Sequence, residues 1–174
     1  MGKSCILKLS SASRVEVGCT IPQVGIKNLY LMHADDVTLT FNGNGQTIIA
    51  TFAEGASSTK VEGYKQNIQV TASELSTDAA NRLNVSITFK LPARFEDVSR
   101  ALLIGRFYVL IEHNDGRYQM AGAQAPLECT SYEYDSNSGA GFITVTLSNP
   151  EGAPGGYLIT ALTAAVNTII SKSV

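Results

Sequence analysis

The sequence predicts a mainly β protein, an antiparallel β-sandwich or barrel of two sheets with one flanking α-helix. Three observations predict it. Apolar and polar residues alternate with period two over several short segments. Asn- and Gly-rich turn signals separate such segments at Asn42–Gly45 and Asn114–Gly116. The regular strand–helix alternation of a doubly wound sheet is missing.

Residues 1–24 lack periodicity and read as an N-terminal arm. The β pattern starts at Gly25. Ile26 and Leu29–Met32 form an apolar run, which the turn-like Asp35-Asp36 stops. Val37, Leu39 and Phe41 then alternate with Thr38 and Thr40. The Asn42-Gly43-Asn44-Gly45 turn should return the chain through Ile48, Ile49 and Phe52, so these two strands should pair. Glu54–Lys60 is small and polar and is expected to be an exposed, removable loop. Tyr64, Ile68, Val70 and Ala72 keep period two, and Ser76–Asn81 reads as a turn or a single helical turn. Val85, Ile87, Phe89 and Leu91 alternate most cleanly, and Pro92 closes that strand.

Phe95, Val98 and Leu102 recur at helical spacing, with Glu96 and Asp97 in the first turn and Gly105 as C-cap. Phe107–Ile111 is apolar throughout, as a strand buried on both faces would be. After Asn114-Asp115-Gly116, strands are expected at Tyr118–Gly122, Pro126–Tyr134 and Ile143–Leu147, with a turn over Asp135–Gly141. Asn149–Gly156 is a Gly/Pro-rich break. Beyond it, Leu158, Leu162, Ala165 and Ile169 fit an amphipathic helix. A strand over Tyr157–Thr163 followed by a tail fits as well. The total is seven to nine strands, divided as an arm (1–24), a β domain (25–156) and a C-terminal segment (157–174) that packs on the domain or on a neighbouring subunit.

Composition narrows the function. Charged residues make up 16% of the chain, against about 25% in an ordinary soluble domain. The net charge is −2 and the 13 Lys and Arg residues are scattered, which argues against nucleic-acid binding through a basic patch. Apolar runs are too short to cross a bilayer, and the start lacks the apolar stretch of a secretion signal. Three unpaired-looking cysteines, Cys5, Cys19 and Cys129, suit reduced thiols in a cytosol.

The sequence offers little chemistry. His33 and His113 are the two imidazoles, and nothing local ties either to Cys129 as a nucleophile. No metal-ligand spacing occurs. Asp135-Ser136-Asn137-Ser138-Gly139 imitates a calcium loop but has Thr146 where the acidic twelfth residue belongs. Phosphate-binding glycine motifs are also missing. The expectation is a protein that is not an enzyme and carries no cofactor or metal.

Several segments carry a family resemblance. They are Gly25-Ile26-Lys27-Asn28-Leu29-Tyr30-Leu31 with Asp35-Asp36-Val37; Arg106–Glu112 with Asn114–Tyr118; Met120-Ala121-Gly122 with Leu127–Ser131; and Gly139–Ser148. In order and texture the chain resembles the tail-tube-like and tail-ring proteins of bacteriophages infecting Bacteroidetes, including the crAss-like group. The resemblance covers about two thirds of the chain. It implies a phage tail-tube-like sandwich whose copies form hexameric or dodecameric rings. Such rings join other tail or neck proteins and pass DNA without binding it specifically. It implies a virion tail protein, made in the host bacterial cytoplasm, without membrane contact. Arms and loops would bridge subunits, which makes Glu54, Gly55, Ser57, Ser58, Lys60, Leu158, Leu162 and Ile169 the interface candidates. Two departures are the lack of Trp and the unmatched termini. The alternatives are a stand-alone β-sandwich module binding protein or carbohydrate, and a small enzyme.

Overall fold

The computed structural model describes residues 25–44, 46–63, 67–77, 80–92, 96–134, 141–150 and 158–174. The expected arm 1–24 with Cys5 and Cys19 lies outside the described residues. So do Gly45, Tyr64, Phe95, residues 135–140 and residues 151–157.

Among the described residues the protein is mainly β and antiparallel, with two helices. The strands are β1 (Ile26–His33), β2 (Val37–Phe41), β3 (Thr47–Phe52), β4 (Thr59–Glu62), β5 (Gln69–Thr77) and β6 (Ala80–Pro92). After helix α1 (Glu96–Ile104) come β7 (Arg106–His113), β8 (Tyr118–Ala121), β9 (Leu127–Tyr134), β10 (Phe142–Ser148), β11 (Ile159–Thr160) and helix α2 (Thr163–Ser171). Eleven strands among the described residues exceed the expected seven to nine, because β4 and β11 are only four and two residues long. Fragments that short carry no periodicity.

One sheet runs β11-β8-β7-β9-β10-β6-β5, with β1 paired to β7 and β4 to β1. The path is open, since β11 and β5 end it. A second sheet is the β2–β3 hairpin, paired from Val37↔Phe52 to Phe41↔Thr47 as the sequence predicted. In its turn Asn42 Oδ1 accepts from the Asn44 and Gln46 amides at 3.0 and 2.9 Å. The second predicted hairpin joins β7 to β8 through Gly116, whose φ of +84° an L side chain would resist.

β1 and β7 are buried on both faces because apolar clusters form on each side. Leu29 and Leu31 of β1, with Val109 and Ile111 of β7, meet Val85, Ile87 and Phe89 of β6 and Val145 and Leu147 of β10. Tyr30 and Met32 point the other way, into a cluster with Val37, Ala50, Leu110, Met120, Val166 and Ile169. Strand alternation thus assigns neighbouring residues to different clusters. Phe89, Leu29, Leu110 and Ile169 are fully buried, each worth about 1.5–3 kcal/mol.

Helix α1 matches the predicted helix. Gly105 ends it with its amide on the Ala101 carbonyl at 2.9 Å. Glycine is needed there for room, since a Cβ would stand 2.5 Å from the Phe107 ring.

Three expectations are corrected. Helix α2 makes two helices rather than one, and strand and helix are both present after residue 157, because Ile159–Thr160 pairs β8 before α2 begins. The turn or helical turn expected over Ser76–Asn81 is narrower: Ser76–Thr77 and Ala80–Asn81 are paired strand, and residues 78–79 between them lie outside the described residues. Glu54–Lys60 is an exposed loop only as far as Ser57. Thr59 and Lys60 belong to β4, and Ser58 is wholly buried. The C-terminus runs parallel beside this stretch, Ser58 N–H donating to Lys172 O and Val174 N–H to Ser58 O at 3.0 and 2.9 Å. The polar composition that suggested a loop serves main-chain pairing instead.

Candidate functional site

The densest polar constellation among the described residues surrounds Glu112. This residue closes the apolar run of β7 and is buried. Its cross-strand neighbours are Asn28 on β1 and Tyr118 on β8. Direct opposition in antiparallel strands puts all three side chains on one face. Tyr30 lies two residues along that face. A register shift between Ile26 and Asn28 adds Lys27 from the same strand end.

Four donors converge on the carboxylate. Oε1 accepts from Lys27 Nζ at 2.9 Å and from Tyr118 Oη at 3.4 Å. Oε2 accepts from Asn28 Nδ2 at 2.6 Å and Tyr30 Oη at 3.2 Å. Burial pushes the Glu112 carboxyl up, but the hydrogen bonds from Asn28 and Lys27, the Lys27 charge and the Tyr30 hydroxyl outweigh it, so it sits below its ordinary value. The Lys27 ammonium is held above its ordinary value by the hydrogen bond to Glu112 and by its charge. Burial and the Glu112 charge push both tyrosines up. Both oxygens are engaged, the lysine stays protonated and the phenols hold their protons. The cluster is therefore an anion clasp joining β1, β7 and β8, with neither a free base nor an activated nucleophile.

The other chemistry-bearing groups have separate neighbours. His113 shares a 2.8 Å hydrogen bond with Gln119. His33 packs edge-on against Phe107 and lies 3.6 Å from Asp35. Burial raises the Cys129 thiol, which faces the Ser131 carbonyl at 3.5 Å. Among the described residues no three His, Cys, Asp or Glu side chains converge as a metal site would require. The calcium-like segment at 135–139 lies outside the described residues. Among those residues no helix is long and apolar enough to cross a membrane.

The interface candidates scatter. Glu54, Gly55 and Ser57 are exposed around the turn after β3. Lys60 is exposed on β4 and pairs with Glu62 at 3.0 Å. Leu158 packs on the first apolar cluster, and Leu162 is half-buried at the start of α2. Ser58 and Ile169 are brought together, but in the interior, where Ser58 Oγ donates to Ile169 O at 2.9 Å.

Sequence reasoning missed Glu112 and its donors as a unit. The available signal was a carboxylate directly after five apolar residues of a doubly buried strand, a position that demands partners. The segments Gly25–Leu31 and Arg106–Tyr118 are the ones this clasp joins. No protein-family model, curated protein or solved structure matches the chain.

Proposed function

We propose that this protein is a structural subunit of a bacteriophage virion, a component of a tail tube or a neck ring. Copies would close into a hexameric or dodecameric ring, dock on other tail or neck proteins and enclose a passage for DNA. The fold behind this reading is a β-sandwich. Its support is that β7 and β9 pair through only two residues, Arg106 and Phe107, and that strands on either side of this short pairing share one apolar cluster.

The observation that carries the reading is the outer edge of β5. This strand pairs β6 over nine residues, Gln69↔Thr88 to Thr77↔Ala80, without a register shift. No other strand among the described residues pairs it. Natural edges are usually protected by Pro, charged side chains, a bulge or shortness, and Gln69–Thr77 has no Pro, no bulge and a single charge, Glu74. Such an edge suits pairing with an adjoining copy, and a head-to-tail contact of that kind closes into a ring where its rotation divides the full circle. The low charge content and the resemblance point the same way.

Light scattering after size exclusion, with electron microscopy of the eluted particle, tests it. Rings or tubes support the proposal. A monomer at every concentration that binds a glycan supports the stand-alone binding module.

A further inference from the structure

We propose that the Asn42-Gly43 link is a latent modification site. Asn42 turns into aspartate or isoaspartate when the β2–β3 hairpin opens, and Gln46 holds the reaction back while the hairpin is closed. The proposal stands apart from the ring reading.

The chemistry belongs to the dipeptide. The Gly43 main-chain nitrogen, once its proton passes to hydroxide, attacks Asn42 Cγ. The new N–Cγ bond closes a succinimide, the Cγ–Nδ2 bond breaks, and Nδ2 leaves as ammonia with a proton from water. Water then opens the succinimide at either carbonyl. Opening beside Cγ gives aspartate. Opening at the original main-chain carbonyl gives isoaspartate, with the chain running through Cγ. Asn-Gly is the pair most open to this attack, because glycine puts no Cβ beside the nitrogen. The chain has two such pairs, Asn42-Gly43 and Asn44-Gly45.

Nothing shields the first pair sterically. Gly43 is exposed, and a Cβ there would meet no described atom within 4 Å. The restraint acts on Asn42 instead. Its Oδ1 accepts from the Asn44 and Gln46 amides at 3.0 and 2.9 Å, and its Nδ2 donates to Gln46 Oε1 at 2.8 Å. The Asn42 amide donates to Gln46 O at 3.0 Å. The side chain is tied at both ends, and Gln46 takes part in two of its three bonds. Swinging Cγ over the Gly43 nitrogen and expelling Nδ2 breaks these ties. One hydrogen bond is worth about two- to tenfold in an equilibrium, so three together slow the closed hairpin by about tenfold or more. Conversion adds a carboxylate, and the isoaspartate form lengthens the main chain by one carbon. Oδ1 then no longer stands where the Asn44 and Gln46 amides point, so the change marks a chain whose hairpin has opened.

The test uses the full chain carrying Asn44→Ser, which silences the second pair and keeps its main-chain amide. This parent is incubated at mildly alkaline pH, folded and in guanidinium chloride, and peptide mapping by mass spectrometry reads aspartate and isoaspartate at position 42. The folded parent should convert about tenfold more slowly than the unfolded chain, or slower still. Adding Gln46→Ala should speed the folded reaction about two- to tenfold. Adding Gln46→Glu, which keeps an Oε acceptor for Nδ2, should leave it as slow as in the parent. Equal rates for folded and unfolded parent overturn the proposal. So does a folded Gln46→Ala protein no faster than the parent, or a Gln46→Glu protein as fast as Gln46→Ala. Should circular dichroism show Gln46→Ala unfolded, the comparison of folded with unfolded parent decides.

Discussion

Ser58 donates its hydroxyl to the main-chain carbonyl of Ile169, 111 residues away, at 2.9 Å. Both residues are fully buried. The bond gives this last-turn carbonyl a second donor beside the Lys172 amide at 3.3 Å, and it ties α2 to the edge of β4.

Ser58→Ala should therefore destabilise the protein by about 0.5–1.5 kcal/mol, because one buried hydrogen bond is lost while the carbonyl keeps the Lys172 amide at 3.3 Å. Ile169→Ala should cost about 2–5 kcal/mol through the cavity it leaves. Exposed Glu54→Ala should move stability by less than about 0.5 kcal/mol. Deleting Glu54–Lys60 should abolish cooperative unfolding, since it removes Ser58 and half of β4. Urea denaturation followed by circular dichroism reads all four. A deletion variant that unfolds like the natural protein would refute the tie.

Glu112 sets a pH dependence. Its folded carboxyl titrates below its ordinary value, held down by Asn28, Lys27 and Tyr30 against the cost of burial. A group depressed in the folded state stabilises above its unfolded value, and that contribution is lost as pH falls through the folded one. The urea midpoint should hold level from pH 7 to about 5 and then fall. Glu112→Gln should cost about 2–4 kcal/mol at pH 7 and flatten the acid limb. Equal acid slopes for both proteins would contradict the clasp.

Ile143 is buried among apolar side chains on β10. Ile143→Asp places an unpaired charge there, at a cost that should exceed the roughly 5–15 kcal/mol margin of a domain at its lower end. The expected result is loss of the cooperative thermal transition. Thr144→Asp, one residue along on the outward face, should retain it.

Much of the fold was legible because burial imprints a period. Ile143, Val145 and Leu147 announced a half-buried strand, and Phe107–Ile111 announced a doubly buried one. Asn42–Gly45 announced the β2–β3 pairing through its turn chemistry. Long-range main-chain partners leave no such imprint. Ser58 reads as one more polar residue in a polar stretch, because its partners stand beyond residue 168. The Glu112 clasp was half visible. A carboxylate in a buried strand implies donors, but strand pairing across 84 residues decides that Asn28 is one of them.

The pairing of β5 with an adjoining copy is the claim on which assembly depends. The most direct measurement is the particle mass, by light scattering across concentration, of the natural protein beside Gln69→Lys/Thr71→Lys. Both positions are exposed on β5, so the lysines guard the edge while leaving the core untouched. The account predicts a ring of six or twelve copies for the natural chain and a folded monomer for the variant. A natural protein that stays monomeric, or a variant that assembles equally well, would contradict it.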